Sequence, residues 1–484
     1  ENKSPIVIAA LNKKTFQFAF FAGIFILFLL LAVYTGQYFF VTVPFFILFF
    51  YVGWQQINIV FFLLLVSLPF SFEYHFSSTL GTDIPDELLM LLVAGFFFTY
   101  LLWFPQNLPV SVWRHPLMIF FFVYLCWLIL TVFFSSNILV SSKYLLAKGW
   151  YTGAFVLAPL IIFNKKRNIQ TTALLLAFAM LLVTIISLLR HSFTGFSFAG
   201  INNAVTPFFR NHVNYSAMLV CTIPLFLAFY GLNKQRKIRS FILIIICILL
   251  IALFFSYARG AWLALAAGLA TYRLIRKKIL VGSYIAALSI VCAFLFWIKS
   301  NDRYLKFAND YNTTIFHQNF REHLIATYKL KDVSTAERFY RWIAGVRMIK
   351  DNGLTGYGPN TFYDHYKEYA VPAFKTWVSK NEDHSTVHNY FLLLAIEQGI
   401  PGLIFFLILL GAMLYYAQHL YHRVKDLFYK TVAITTGVIL MMMITVNFLS
   451  DLIETDKIGS LFFLCLAALI VTDRSTRKEM IDDN

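Results

Sequence analysis

Residues 385–420 read "STVHNYFLLLAIEQGIPGLIFFLILLGAMLYYAQHL". Two apolar runs stand here in succession, and the break between them carries the information. A helix that only anchors a chain in a bilayer has no use for His388, Asn389, Glu397 or the Gly-Ile-Pro-Gly of 399–402. A helix of a soluble domain would not be followed by about twenty more apolar residues. The spacing resolves the conflict. Gly399 ends a short helix over 389–398, and Pro401 opens the next helix in its first turn, where a missing N–H costs nothing. Residues 401–420 then form a membrane span. The short helix lies on or dips into the outer leaflet, with His388 at the membrane–water boundary.

The same apolar signal recurs along the chain. Of 484 residues 59% are hydrophobic, 13% are charged and 54 are phenylalanine, too much apolar surface for a soluble interior of this size. Apolar runs of near span length, able to cross a hydrocarbon core ~30 Å thick, are expected at 16–36, 38–53, 57–72, 86–104, 116–135, 144–163, 170–190, 213–232, 239–257, 260–276, 279–298, 401–420, 428–449 and 457–472. The fold class is therefore all-α: a polytopic transmembrane protein of about 12–14 spans with a large helical extramembrane segment. A β-barrel would show short alternating segments instead. The organisation reads as membrane helices over 1–298, an extramembrane segment over 299–400, and membrane helices with a tail over 401–484. The first apolar run continues into further spans, so no cleaved signal peptide is expected. All five cysteines lie in apolar runs, which argues against a disulfide framework.

A net charge of +16 would point to nucleic acid in a soluble protein. Here its placement gives a simpler cause. With the N-terminus and its Lys13 and Lys14 in the cytoplasm, alternate loops carry Arg114, then Lys165 to Arg167, Lys234 to Arg239, Arg273 to Lys278, Arg423 to Lys430 and Arg474 to Lys478. The opposite loops, "FEYHFSSTLGTDIPDE", "SSNILVSSK" and "LSDLIETDK", hold two lysines, no arginine and several acids. By the positive-inside rule both termini are cytoplasmic. The 299–400 segment then lies in the periplasm of a diderm cell. Within it "STAERFYRWIAGVRMIKDNG" (334–353) marks an amphipathic helix. Ser334 and Glu337 have capping-box spacing, Phe339, Trp342, Ile343, Val346 and Ile349 recur at helical intervals, and Asn352-Gly353 is a natural stop.

Several cations gather on that outer side. Arg259, in "FFSYARGAWLALAAG", sits between two apolar runs with almost no loop to hold it, where a charge must snorkel or be paired. Arg338 and Arg341, three apart, share part of one helix face and are read either as solvated arginines or as the wall of a cleft. Lys148 in "YLLAKGWYTG" reads as a snorkelling lysine; Arg210 in "PFFRNHVNYS" stands just before a span. His388 alone reads as a cap or surface residue as readily as a catalyst. His384 four residues earlier gives a zinc-like spacing, but there is no HExxH and no nearby cysteine, so no metal is expected. Guanidinium groups pair bidentately with phosphate oxygens and stay charged at working pH. Arginines beside a lipid-accessible cleft with one imidazole suit a lipid-linked diphosphate. No Walker loop or dinucleotide fingerprint appears, and "GLTGYGPNTF" reads as a turn.

In order and spacing, "SYARGAWLAL", "ERFYRW" through "MIKDNGLTGYGPNTF", and "HNYFLLLAIEQGIPG" resemble the O-antigen ligase and polymerase superfamily, closest to the ligases. The likeness covers roughly 205–420; the first two hundred residues share only hydropathy with the family. It implies a metal-independent, inverting glycosyltransferase of the bacterial inner membrane that uses no cofactor. Its donor would be an undecaprenyl-diphosphate-linked glycan and, in the ligases, its acceptor lipid A–core. The ligase arginine after "SYA" carries over to Arg259, that of the periplasmic helix to Arg338 with Arg341 as competitor, and the histidine of "HN" to His388. Lys148 and Arg210 have no counterpart there and rest on their placement alone. On this reading His388 is the base, and Arg259 and Arg338, with Arg341, Arg210 and Lys148, hold the diphosphate. A polymerase that extends a lipid-linked glycan and a protein O-oligosaccharyltransferase are alternatives with the same donor. A lipid-linked glycan transporter is a more distant one; it would place polar residues through the bilayer midplane rather than at one boundary.

Overall fold

The structure, a computed structural model, describes residues 5–37, 40–41, 43–75, 81–299, 333–371 and 386–482. It divides into two compact units, Glu1–Leu63 and Leu64–Asn484. In the first, α1 (Pro5–Thr35) and α2 (Val43–Gln55) pair, with the rings of Phe21 and Tyr51 meeting edge to face at 4.9 Å.

The second unit carries the rest. After α3 (Ile57–Ser67) the chain makes a short hairpin, β1 (Phe72–His75) antiparallel to β2 (Gly81–Ile84), with Glu73 opposite Asp83. The hairpin occupies one of the acid-rich loops, where no strand was expected. Six long helices follow: α4 (Asp86–Trp103), α5 (Pro116–Phe133), α6 (Ile138–Thr152), α7 (Lys166–Ser192), α8 (His212–Leu232) and α9 (Arg236–Phe255). Beyond α6 the backbone winds through a π turn at Gly153–Leu157 and ends at Ile162. Then come α10 (Arg259–Arg276) and α11 (Leu280–Lys299), the extramembrane helices α12 (Val333–Asp351) and α13 (Phe362–Tyr369), the short α14 (Tyr390–Glu397), and α15 (Gly399–Arg423), α16 (Leu427–Asn447) and α17 (Asp456–Asp482).

Among the described residues ten helices are long and apolar enough to cross a membrane, with two shorter apolar ones at Ile57–Phe70 and Leu280–Phe294. The chain is an all-α, multi-pass membrane protein. Two of the expected spans fall short. Helix α2 has 13 residues. Helix α10 carries Arg259 in its first turn and Arg273 and Arg276 in its last, which leaves an apolar middle of about 20 Å against a core of about 30 Å.

The interior is built on α17, of whose membrane window 83% is buried, against 33% for α9, which turns Phe241, Ile244 and Phe254 outward. Aromatic rings fill the space between α17 and its neighbours: Phe121 against Phe463 at 5.9 Å, Phe406 against Phe462 at 5.6 Å, and Tyr390 against Phe406 at 5.2 Å. Small residues bring α10 and α16 close, since a Cβ on Gly268 would lie 2.2 Å from Met442 and one on Gly437 2.8 Å from Ile275. The five cysteines are free.

Parts of the expected 299–400 segment, at 300–332 and 372–385, lie outside the described residues; so do His384 and the side chain of Ser334 proposed as a cap. The amphipathic helix forms as α12. Of its expected apolar face Ile343 is buried, Phe339, Trp342 and Ile349 are half-buried and Val346 is exposed, while Glu337, Tyr340, Arg341, Ala344 and Met348 are buried as well. Gly345 lets α12 approach Ile396 of α14 closely, and the buried face includes Arg341.

Candidate active site

His388 sits in a backbone conformation that L residues avoid, with φ +53°, a strain of about 1–3 kcal/mol that surrounding contacts must hold. They do so on both sides. Arg341 Nη1 donates to the Thr386 carbonyl at 2.9 Å, and Trp342 Nε1 to the Val387 carbonyl at 3.0 Å. After the histidine, Asn389 caps α14 by accepting from Leu392 N at 3.0 Å, and Tyr390 N donates to Ser450 O at 2.9 Å. The short helix read from the sequence is thus present, and its start is tied to α12 on one side and to the loop after α16 on the other.

That loop supplies a carboxylate which the sequence reading passed over. Asp451 Oδ1 stands 3.9 Å from His388 Nδ1, within ion-pair reach though longer than a hydrogen bond. The imidazole is 38% exposed and Asp451 16%. Burial, and then the charges of Arg341 and Arg338, push the His388 imidazolium down to about 3. Burial raises Asp451 while Thr386 and Arg341 counteract it. Two arginines, one imidazole kept neutral and one carboxylate at Nδ1 therefore meet at one end of the bundle.

Of the residues expected at the site, Arg338 and Arg341 do share the His388 neighbourhood. Arg341 is 7% exposed and bonded to Thr386 and to Glu337 Oε2 at 3.4 Å; it shapes the loop, while Arg338 is half-buried beside it. Arg259 begins α10, half-buried, and its neighbour Gly260 faces Leu449, two residues before Asp451. Lys148 does not snorkel: it is buried, and its Nζ lies 2.8 Å from Glu454 Oε2, whose other oxygen accepts from Tyr144 at 2.8 Å. Arg210 is exposed and paired with Glu73 of β1 at 2.8 Å. Both cations already have carboxylate partners.

The carboxylate of Glu397, the residue that a plain membrane anchor has no use for, accepts from the backbone amides of Asn360 at 2.8 Å and Phe362 at 3.1 Å. It pins the "GLTGYGPNTF" turn, and burial pushes it up to about 8. Gly356, at φ +70°, lies beneath the Glu397 backbone, and Gly399, at φ +72°, would drive a Cβ into the Leu354 carbonyl. Both glycines are needed where the turn meets the end of α14. Asp451 and Glu454 were findable: both stand in "LSDLIETDK", the acidic loop assigned to the same side as His388, and the antiparallel pair α15–α16 returns the chain to that end.

Residues 243–407 match the model of the O-antigen ligase family. That segment is similar to O-antigen ligases. Over 218 residues the chain is 27% identical to an O-antigen ligase of Salmonella typhimurium (strain LT2), covering 44% of this chain and 49% of that protein; the chain spans about half the length of the relative it matches. The matched segment contains Arg259, Arg338, Arg341 and His388, while Asp451 reaches the site from beyond its boundary.

Proposed function

We propose that the protein is an O-antigen ligase-type glycosyltransferase that moves a glycan from undecaprenyl diphosphate to lipid A–core. It would work at the periplasmic face of the bacterial inner membrane, with both termini in the cytoplasm and the 299–400 segment forming part of the site. The observation that carries this reading is a part-exposed imidazole within ion-pair reach of Asp451 and within the field of Arg338 and Arg341, inside a segment that matches the O-antigen ligase family. The basic loops at the other end of the helices support the sidedness.

The step is a single displacement. An acceptor hydroxyl oxygen attacks the anomeric carbon as its proton passes to His388 Nε2. The bond from that carbon to the phosphate oxygen breaks, and undecaprenyl diphosphate leaves with the electron pair; the configuration inverts. Asp451 compensates the imidazolium that forms. Arg338 and Arg259 neutralise the growing negative charge on the leaving diphosphate; a diphosphate leaves readily, so the step itself asks for no Lewis acid. Arg341 shares this field from its structural position. Lys148 and Arg210, expected as further diphosphate ligands, enter that role only by exchanging Glu454 and Glu73 for phosphate. Donor binding also prepares the base: the diphosphate offsets the arginine charges that depress the imidazole, so its basicity rises when the donor is in place.

Incubating the purified protein with a lipid-linked glycan and, in parallel, lipid A–core, a second lipid-linked glycan and an acceptor protein tests this. Mass gain on lipid A–core is expected. Gain only on the glycan or only on the protein would reassign it as a polymerase or a protein O-oligosaccharyltransferase, and no covalent product in detergent would leave transport.

A further inference from the structure

Away from His388, three carboxylates from separate elements converge. Asp83 of β2, Asp86 at the start of α4 and Asp456 at the start of α17 each bring an oxygen within 4.8 Å of the other two. Acids at helix starts are common because they complement the helix dipole, which accounts for Asp86 and Asp456 one at a time. It does not account for their meeting, nor for the state of Asp86. That side chain is 0% exposed. One oxygen accepts from Glu87 N at 2.9 Å, while Oδ2 is buried with no hydrogen-bond partner. A buried, orphaned carboxylate oxygen in a group of three carboxylates is costly unless positive charge offsets it. The ammonium of Lys457 lies within the field of all three, but its hydrogen bonds go to the carbonyls of Ser71, at 2.8 Å, and of Phe208, and one cation stands against three acids.

We propose that Asp83, Asp86 and Asp456 form a binding site for a hard divalent cation, Ca²⁺ or Mg²⁺. The donors are all oxygen, which selects hard cations over zinc or iron. Opposed oxygens around Ca²⁺ stand ~4.8 Å apart and around Mg²⁺ ~4.2 Å; three oxygens all within 4.8 Å of one another fit a Ca²⁺ shell as they stand and a Mg²⁺ shell with a small inward shift, water completing either. Asp83, half-buried on the hairpin, gives the ion its way in. The site is structural. It joins the hairpin, α4 and α17, and the residues just before Asp456 are the loop that presents Asp451 to His388 and Glu454 to Lys148.

Terbium is the direct probe, because Tyr151 donates to Asp456 Oδ1 and a tyrosine at the ligand sensitises Tb³⁺ emission. Full-length protein, stripped with EDTA and exchanged into chelator-free detergent buffer, is expected to show a saturable tyrosine-excited Tb³⁺ signal displaced by Ca²⁺ or Mg²⁺. The Tm should rise saturably with the same ions. Asp86→Asn and Asp83→Asn should each weaken binding by about tenfold or more; Asp83→Asn, on the half-buried hairpin, is the variant expected to fold. No saturable signal in the wild type would overturn the proposal. So would an undiminished signal in Asp83→Asn, or a Tm that responds to acidification but to neither cation, which would mean that the carboxylates share a proton instead.

Discussion

The two ends of the bundle solve the same problem differently. At one, Asp473 of α17, 1% exposed, collects three partners: the guanidinium groups of Arg423 at 2.6 Å and Arg477 at 2.9 Å, and His115 at 3.2 Å. His115 accepts from Leu117 N through Nδ1, which leaves Nε2–H to donate to the carboxylate. At the other, His388 is more than a third exposed, strained in φ, and depressed first by the burial of its ring and then by the charges of two arginines. The first cluster is closed around its anion and acts as a latch between α5, α15 and α17. The second presents positive charge and an open imidazole to whatever anion arrives. Charges that face one another inside a fold hold it together; charges arranged round an accessible base serve a ligand.

Substitutions should separate the two behaviours. Replacing a charge at the His388 end should cost rate. Arg338→Ala is expected to lower kcat by roughly 10²–10³, and Arg259→Lys, which keeps the charge but loses the fork, to lower it substantially, with Tm near wild type in both. At the other end Asp473→Ala should leave Arg423 without its carboxylate and the buried Nε2–H of His115 without an acceptor, costing about 1–3 kcal/mol of stability, read as a drop in Tm, while transfer per folded molecule is unchanged. A rate loss there without a stability loss would break the contrast.

Between these extremes lies Glu397, buried beside the site but bonded only to backbone. Glu397→Ala strands the amides of Asn360 and Phe362 and should cost about 1–3 kcal/mol. Glu397→Gln keeps an acceptor in place and should cost less, since burial already pushes the acid up to about 8.

The smallest effect is on pH dependence. Because the free imidazole is depressed, it stays unprotonated as pH falls through 6.5, so kcat/KM should hold down to well below that value before an acid limb appears. With diphosphate on the arginines the imidazole is relieved, and the acid limb of kcat should lie higher than that of kcat/KM. Coincident limbs near 6.5 would remove the arginines from its environment.

The sequence made the membrane character, the short helix after His388 and the outer cations legible, because hydropathy and glycine–proline punctuation are local. What it hid was pairing across the chain. Lys148 looked like a snorkelling lysine because Glu454 is 306 positions away. Asp451 looked like one acid in an acidic loop, because only the α15–α16 pair brings it to His388. Arg341 is buried because its acceptor, the Thr386 carbonyl, comes from 45 positions further along the chain. The hairpin escaped notice because strands of four residues, Phe72–His75 and Gly81–Ile84, are too short for alternation to register.

The most direct measurement is single-turnover transfer by His388→Ala against wild type, in detergent with a lipid-linked glycan and lipid A–core, on protein matched for Tm. A fall of roughly 10²–10⁴ is expected for loss of a positioned base. Transfer at the wild-type rate by a folded His388→Ala protein would contradict the role given to the imidazole and, with it, the reading of this end of the bundle as an active site.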